Sequence, residues 1–446
     1  MAKDMTKGNP GKTLFFFAVP MVLGNLFQQL YNIIDSIIVG NYVGADALAA
    51  VGASSSITFL FVAIATGLSI GSSVVISQYF GAKRYGEMKT AIQTVLLASF
   101  VIALCLMLVG IFGTDAILRF MQTPQKIFSD ASLYLKIYFC GLIFLFLYNM
   151  LTASFNAIGD SKSPLVFLAL SSICNIVLDL YFVTKLKMGV AGAALATDIS
   201  QAISVVVSFL WLRTRMRKMK TEEKSRLFDL HIFEIVCNVA VPSMLQQSMV
   251  SIGIFLVQRL VNGYGEAVMA GYAAATKIDS IAILPMVNVG NAVSTFTAQN
   301  IGGKKPERVK EGFRAGLLMS AVIGAIVTGI LLVYAKVFVG LFMDSSSNQA
   351  AIATGIEYLR VVGLFYALMG IMNTCTGVLR GAGDILWFLM VTLINLSSRV
   401  ILAYSMSGML GAKAIWWSIP IGWGIGFAIG FVRYLSGKWQ RSSLIE

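Results

Sequence analysis

The most regular feature of this chain is a recurring run of apolar residues, each close to the roughly 20 residues that a helix needs to cross a bilayer. Short segments that carry the charges separate these runs. The pattern predicts about twelve transmembrane helices. The predicted spans are 14–39, 48–79, 90–112, 131–155, 164–184, 190–211, 232–260, 267–298, 314–340, 351–379, 385–405 and 412–435.

The chain also repeats itself. Gln78–Arg84 (QYFGAKR) is answered by Gln299–Lys305 (QNIGGKK), and further pairs are separated by 220 to 224 residues. These pairs are Val19-Pro20 with Val241-Pro242, Tyr134-Leu135-Lys136 with Tyr358-Leu359-Arg360, Asn149 with Asn373, Gly159-Asp160 with Gly383-Asp384, and Asn175 with Asn395. Each half has an even number of spans and begins beside a basic segment. The two copies are therefore predicted to share one orientation and to be related by a pseudo-twofold axis along the membrane normal.

The longest charged stretch, 213–224, lies between spans six and seven and is the natural linker between the copies. We therefore predict an N-terminal six-helix lobe at 1–212, a basic cytoplasmic linker at 213–230 and a C-terminal six-helix lobe at 231–446. The predicted fold class is an all-α integral membrane protein with two pseudo-twofold-related six-helix lobes. A duplicated bundle of this kind points to a transporter whose site lies between the copies.

Composition supports this class. Of 446 residues, 57% are hydrophobic and 12% are charged, against about 25% charged in an ordinary soluble domain. The net charge of +13 could indicate a nucleic-acid partner if the basic residues formed one surface. Most of them instead fall in segments on one side of the predicted membrane, which favours a cell inner membrane protein with both termini cytoplasmic and no nucleic-acid partner.

The residue inventory argues against an intramembrane enzyme. The single histidine, His231, lies in the linker region, and no nucleophile with a base or metal-ligand cluster is present in the sequence. The five cysteines have no paired or metal-ligand spacing and are expected to be free, buried thiols. We predict no enzyme activity and no cofactor. Trp416 and Trp417 are expected to anchor the protein at the outer membrane interface.

Two carboxylates inside predicted spans carry the functional signal, because an acidic side chain at a helix centre costs about 2.5–3.5 kcal/mol on insertion scales. Asp35 lies toward the outer end of span one. Asp179 follows Asn175 by four residues, so both side chains share one helix face. Such an oxygen-rich group can bind an alkali cation, or a buried carboxylate can carry a proton. The alternative is that Asp179 only packs helices together and Asp35 only reaches the interface.

The two carboxylates have no acidic counterparts in the second half of the chain. The second-half counterpart of Asp35 is Leu256 or Val257, and that of Asp179 is Arg399. The carboxylate site is thus predicted to belong to the first half only. In the second half, Asp279 lies two residues from Lys277 and would be neutralised by it if both faced the same side.

Taken in order, these motifs resemble those of the multidrug and toxic compound extrusion (MATE) family of secondary transporters, over nearly the whole chain. The matching segments are Val19-Pro20, Gln28–Asp35 with Val39-Gly40, Gln78–Lys83, Ala157–Asp160, and Asn175 with Asp179. The resemblance implies two six-helix lobes facing each other in a V. It also implies export of cationic amphipathic compounds against an inward sodium or proton gradient.

The resemblance further implies roles for individual residues. The coupling-ion site would comprise Asp35, Asn175, Asp179 and Thr197, with Asp198 pointing elsewhere. Thr197 could instead only bond back to its own helix. Pro20 would be the bending point of helix one, or simply a static kink. Gln28, Tyr31 and Asn149 could line the substrate cavity, although hydrogen bonding between helices would equally explain them.

The predicted function is secondary active multidrug efflux by Na⁺- or H⁺-coupled antiport through alternating access. Its partners would be small organic, cationic substrates and the lipid bilayer, and the protein would be a monomer. The alternative is a flippase of the same superfamily that moves a lipid-linked saccharide or another amphipathic anion. Three intramembrane cations in or near the second lobe keep that alternative open: Arg259, Lys277 and Arg399.

Overall fold

A computed structural model describes residues 3–219, 221, 225–342 and 348–445, and in this part of the chain every regular element is helical. The first half contains α1 (Pro10–Ile38), α2 (Ala45–Gly81), α3 (Tyr85–Phe120), α4 (Gln125–Ala157), α5 (Lys162–Asp179) and α6 (Gly189–Lys218). The second half contains α7 (Leu230–Asn262), α8 (Glu266–Ala282), α9 (Leu284–Gly302), α10 (Pro306–Gly340), α11 (Gln349–Gly363), α12 (Tyr366–Ala382), α13 (Ile385–Leu410) and α14 (Lys413–Leu435).

Among the described residues, eleven helical stretches are long and apolar enough to cross a membrane, and a bent pair brings the total to twelve. The bent pair is α11 and α12, which meet at 49°. A second interruption separates α8 from α9 next to Pro285, whose missing N–H cannot continue the helical hydrogen bonds. The prediction of an all-α membrane protein with about twelve spans is confirmed.

The chain divides into two compact units whose limits differ from the predicted lobes. The first unit contains Met1–Lys3 and Leu23–Met244, and the second contains Asp4–Val22 and Leu245–Glu446. The boundaries predicted at 212 and 230 therefore do not coincide with the limits of the units. Instead, each unit takes in the beginning of the other half's first helix. Of the predicted linker, residues 220 and 222–224 lie outside the described residues.

The repeated basic motif explains why the second unit includes the start of α1. In that unit, Gln299 accepts a hydrogen bond from the Met5 backbone N–H at 2.9 Å. Lys305 donates to the Thr6 carbonyl at 2.9 Å, and Arg308 donates to the Met5 carbonyl at 3.1 Å. Further on, Phe17 of α1 is buried in the same apolar cluster as Phe296 of α9. The segment before Pro20 thus belongs to the second unit through hydrogen bonds and apolar burial.

The first unit holds the segment before α7 in the same way. Near the start of α3, Lys89 donates to the Met219 carbonyl at 2.6 Å. Thr90 and Thr94 accept hydrogen bonds from the backbone N–H groups of Arg226 and Asp229, both at 3.1 Å. Two segments of equivalent sequence position are therefore bound by equivalent parts of the two copies.

Two π-helical turns end the helices that carry the predicted carboxylates. Val39–Val43 follows α1 and Leu180–Lys185 follows α5, and the two turns contact each other. A π turn inside or at the end of a helix is frequent at functional sites because it redirects the last side chains of the helix. Their contact brings the C-terminal ends of α1 and α5 together, which positions Asp35 near Asp179.

Two expectations about side-chain exposure were wrong. Trp416 is only 1% exposed, because its ring packs within the second unit against Tyr272 and Tyr358. It is therefore no interface anchor, whereas Trp417 is exposed. The cysteines are free as expected, but only Cys375 is buried.

A close helix contact yields the first prediction. A Cβ built on Gly71 of α2 would lie 2.6 Å from the backbone of Ala240 on α7. Gly71→Ala should therefore force the two helices apart and destabilise the protein by about 1–3 kcal/mol. Thermal unfolding of the purified protein in detergent measures this loss.

Gly52 provides the matched control, because it lies on the same helix and a Cβ there would meet nothing within 4 Å. Gly52→Ala should leave the midpoint unchanged or raise it slightly, since alanine favours helix over glycine. Equal midpoints for the two variants would contradict the described packing of α2 against α7.

Candidate ion-binding site

The four side chains of the predicted ion site come from three helices of the first unit. Asp35 lies in the last turn of α1, Asn175 and Asp179 lie in the last two turns of α5, and Thr197 lies on α6. The Asn175 amide donates to the Thr197 hydroxyl oxygen at 3.3 Å. The structure therefore brings α5 and α6 together at the residues that the sequence selected.

The Thr197 hydroxyl also donates to the Ala193 carbonyl of its own helix at 3.1 Å. The expected alternative of a bond back to the helix is thus present, and it does not prevent the contact with Asn175. Since the hydroxyl hydrogen is used on Ala193, the oxygen's lone pairs accept from neighbours. This contact fixes the Asn175 side chain through its amide nitrogen. The amide oxygen of Asn175 takes no part in it.

Asp35 and Asp179 are direct neighbours. Their carboxyl groups are close enough for each to act electrostatically on the other. The Asp179 side chain is fully buried. Two carboxylates this close repel strongly in a medium of low dielectric constant, and both cannot remain charged without a cation or a proton.

Four oxygens at this position have no hydrogen-bond donor among the described residues. They are Asp35 Oδ1, Asn175 Oδ1 and both carboxylate oxygens of Asp179, and all four atoms are buried. Buried polar atoms are almost always paired, so a group of unpaired ones calls for an explanation. Carboxylate and amide oxygens are the ligands that hard cations prefer, and a proton on one carboxyl would supply a donor.

The donor set fits a monovalent cation or a proton better than a transition metal. In the described part of the chain, no three His, Cys, Asp or Glu side chains come together in a way that could hold a metal ion. The oxygens available here are two carboxylates, one amide and, at 3.3 Å from that amide's nitrogen, one hydroxyl. Such a hard, all-oxygen set with two acidic groups suits an alkali cation.

Tyr31 lies at the ion site. Its hydroxyl is 3.5 Å from that of Thr197, one helical turn before Asp35. Asn149 donates to the Leu145 carbonyl of its own helix at 2.8 Å, and Gln28 is exposed on α1. Of the three residues assigned to the substrate cavity, only Tyr31 is brought to the ion site. Their role in binding substrate stays a prediction, as does the bending of α1 at Pro20.

Asp198 is a third carboxylate near this site, and sequence reasoning set it aside. It faces α4, where a Cβ on Gly141 would lie 1.8 Å from its Oδ1 atom. The charge of Asp198 acts on the hydroxyls of Tyr31 and Tyr138. The sequence contains one feature that could have indicated this contact, Gly141, the only glycine in α4. A carboxylate can approach a helix backbone closely only where a side chain is missing.

Comparison with known proteins identifies the family. The MatE family model matches the chain twice, over residues 20–181 and 242–405, which together cover more than half of its length. The chain belongs to the MatE family. The repeated match also reproduces the internal duplication, since the two copies of the MatE segment begin 222 residues apart at the prolines Pro20 and Pro242.

Curated MatE relatives cover the whole chain. The probable multidrug resistance protein YpnP of Bacillus subtilis is 30% identical over 99% of both chains. The probable multidrug resistance protein NorM of Thermotoga maritima is 24% identical over 97% of this chain and 94% of its own. The resemblance predicted from the motifs is thereby confirmed, and MatE proteins are transporters rather than enzymes.

Solved MatE structures share the fold. An outward-facing multidrug resistance MATE family transporter of the MOP superfamily superposes with a TM-score of 0.88 at 25% identity, covering 99% of this chain and 98% of its own. A MOP superfamily transporter from Pyrococcus furiosus, described as having a binding pocket of reversed polarity, has a TM-score of 0.89 at 25% identity with the same coverage.

The second MatE copy contains a different polar group. Asp279 of α8 accepts a hydrogen bond from the Tyr366 hydroxyl at 2.5 Å. The hydroxyl of Tyr358 is also within reach, and the positive charge of Arg399 acts on the carboxylate. Lys277, the expected partner, instead lies 5.7 Å from the centre of the Phe342 ring. The condition under which Lys277 would neutralise Asp279 is therefore not met among the described residues.

This group yields a second prediction. Tyr366→Phe removes a donor from the Asp279 carboxylate and should destabilise this MatE protein by about 1.5–3 kcal/mol, the range for a hydrogen bond to a charged group. The thermal unfolding midpoint in detergent measures this loss. Repeating the Tyr366→Phe substitution in the Asp279→Asn variant measures the coupling between the two side chains.

Tyr404→Phe is the control, because the Tyr404 hydroxyl donates to an uncharged acceptor, the Leu256 carbonyl, at 3.0 Å on an exposed side chain. Its effect should be smaller. If Tyr366→Phe were no more destabilising than Tyr404→Phe, the Asp279 carboxylate would not depend on the Tyr366 hydroxyl.

Proposed function

We propose that this protein is a multidrug exporter in which Asp35, Asn175, Asp179 and Thr197 bind a coupling Na⁺ or H⁺. The observation that carries the proposal is the group of four buried oxygens without a donor, formed by Asp35, Asn175 and Asp179. Relatives named as multidrug resistance proteins, covering nearly the full chain, supply the substrate class. Organic cations are the substrates that an acidic first lobe would favour electrostatically.

Coupling requires that ion and substrate favour different states of the protein. In the outward-open state, Asp35 and Asp179 take up the ion, α1 bends near Pro20, and the first-lobe cavity contracts so that the drug leaves. The protein then turns inward with its ion. The carboxylates suit this exchange because a single negative group can be neutralised by the coupling ion or by an organic cation, but not by both together.

The energetics set a limit on this exchange. A tenfold ion gradient supplies about 1.4 kcal/mol per ion, and each 100 mV adds about 2.3 kcal/mol per charge moved. If one monovalent drug leaves for each ion that enters, no net charge moves and the membrane potential contributes nothing. Uptake of more than one ion per drug would make transport electrogenic.

We also propose that the protein is a monomer in the cytoplasmic membrane with both termini on the cytoplasmic side. Support comes from the basic residues near the predicted inner ends of the helices. The last turn of α6 carries Arg215, Arg217 and Lys218, in agreement with the positive-inside rule.

The flippase alternative has less support. It relied on intramembrane cations in the second lobe, but the charge of Arg399 acts on the Asp279 carboxylate and Lys277 lies over the Phe342 ring. Arg259, an exposed residue in the last turn of α7, is left to attract an anionic substrate.

A transport assay tests the proposed function. The purified protein is reconstituted in liposomes, and movement of a fluorescent monovalent organic cation is followed under an imposed sodium gradient and then under a proton gradient. One of the two gradients should drive transport of the cation, and Asp35→Asn and Asp179→Asn should each abolish that gradient-driven component, because neither variant keeps the paired carboxylates.

Asp115→Asn serves as the matched control. Asp115 is an acidic residue of α3 outside the site, where Ser132 and Lys136 already pair with it. This variant should transport like the wild type. Full gradient-driven transport by a folded Asp179→Asn variant would rule out the proposed coupling site. A wild type that responds to neither gradient would favour the flippase.

A binding measurement separates the two ions. If Na⁺ is the coupling ion, NaCl should raise the unfolding midpoint of the detergent-solubilised protein relative to choline chloride at equal ionic strength. At 100 times the dissociation constant the stabilisation is about 2.7 kcal/mol. Asp179→Asn should lose this increase and Asp115→Asn should keep it. A wild type that is stabilised equally by both salts, yet responds to a proton gradient, assigns the site to H⁺.

A further inference from the structure

A cavity of about 290 Å³ lies between α5 and α6 at the end of the first unit opposite to the ion site. Its walls are mainly apolar, formed by Val166, Phe167 and Leu170 of α5 and by Val207 and Trp211 of α6. Val166 is 62% exposed and Trp211 is 50% exposed. Both helices are long and apolar enough to cross a membrane, so acyl chains can reach an opening lined by these exposed residues.

The mouth of this α5–α6 groove is basic. Lys162 is exposed in the first turn of α5, and no partner is described for its ammonium group. Arg215 of α6 forms an ion pair with Asp160, with a guanidinium nitrogen 3.5 Å from the Oδ2 atom. Asp160 is itself held by Ser163, whose backbone N–H and hydroxyl both donate to it. Because a guanidinium has five N–H donors, this arrangement fixes Arg215 at the mouth and leaves donors for another anion.

The corresponding position of the second copy is built differently. There, Arg433 makes two hydrogen bonds to Asp384, at 2.6 and 3.2 Å. The guanidinium also lies 4.9 Å from the centre of the Trp387 ring. Arg433 is thus engaged by both carboxylate oxygens of Asp384 and by an aromatic face.

Two substitutions between the copies account for this difference. With Asp160 matched to Asp384, Lys162 corresponds to Leu386 and Ser163 corresponds to Trp387. The second copy thus has no ammonium group at the mouth, and its tryptophan ring occupies the position where the first copy has only a small serine. The ammonium group of Lys162 and the small Ser163 beside it are therefore specific to the first copy rather than a consequence of the fold.

We propose that the α5–α6 groove binds a phospholipid with an anionic head group, with an acyl chain along Phe167 and Trp211 and the head group on Lys162 and Arg215. Charge complementarity selects this occupant, since basic pockets between transmembrane helices on the cytoplasmic side bind anionic head groups. The groove lies at the start of α5 and the end of α6, beside further basic residues of α6. It is independent of the ion site and of the transport proposal.

Brominated lipids test this proposal through Trp211. The purified protein is placed in nanodiscs in which phosphatidylcholine or phosphatidylglycerol carries bromine on its acyl chains. The fluorescence that is lost in Trp211→Phe isolates the signal of this tryptophan. Brominated phosphatidylglycerol should quench that signal at a lower mole fraction than brominated phosphatidylcholine.

Charge variants of α5 and the turn that follows it test the head-group contact. Lys162→Gln should reduce the preference for phosphatidylglycerol about fivefold, since a basic residue near the surface contributes about 1 kcal/mol to binding anionic lipid. Lys185→Gln is the matched control, because Lys185 is exposed in the π turn at the other end of the same span. It should leave the preference unchanged.

A filling variant tests the acyl-chain contact. Ser163→Phe introduces a ring where the second copy has Trp387, and should reduce quenching of Trp211 by both lipids. Val207→Phe fills the groove from α6 without disturbing Asp160, and serves if Ser163→Phe does not fold. Equal quenching by the two lipids in the wild type, an equal loss in Lys162→Gln and Lys185→Gln, or a Trp211 signal that neither lipid quenches would overturn the proposal.

Discussion

One electrostatic constraint governs the first half of this protein: two neighbouring carboxylates, Asp35 and Asp179, lie inside a helix bundle that crosses a membrane. A buried charge costs several kcal/mol unless something compensates for it, and here the surrounding oxygens have no donor among the described residues. The contacting π turns after α1 and α5 bring the two acids together. Under the proposed function, a mobile positive charge would compensate this group.

A second constraint comes from the duplication. Each copy holds the segment that precedes the other copy's first helix, through Gln299, Lys305 and Arg308 in one unit and through Lys89, Thr90 and Thr94 in the other. As a result, α1 and α7 each pass from one compact unit to the other within three residues of a proline, Pro20 and Pro242. A proline weakens the helix where such a passage occurs, so these two positions are where either helix can bend at least cost.

The sequence predicted most of the architecture, since the length of apolar runs and the repeated motifs are strong signals. It also selected the residues of the candidate ion site that the structure brings together, because Asn175 and Asp179 share a helix face and an intramembrane carboxylate stands out. The limits of the units could not be read in this way: a motif such as QNIGGKK does not reveal which backbone it binds. Trp416 was misjudged for a related reason. Membrane helices are apolar on all faces, so the pattern does not say which side is buried, and its partner Tyr272 is distant in sequence.

The most direct test of the central claim is an infrared difference spectrum of the purified protein, recorded as its coupling ion is exchanged. If Asp35 and Asp179 alternate between a proton and a cation, or take up and release a proton, a protonated carboxyl band should appear or disappear with ion or pH. That band should be missing in Asp35→Asn and in Asp179→Asn, and retained in Asp115→Asn. A band that persists in both site variants, or a wild type without one, would contradict the account.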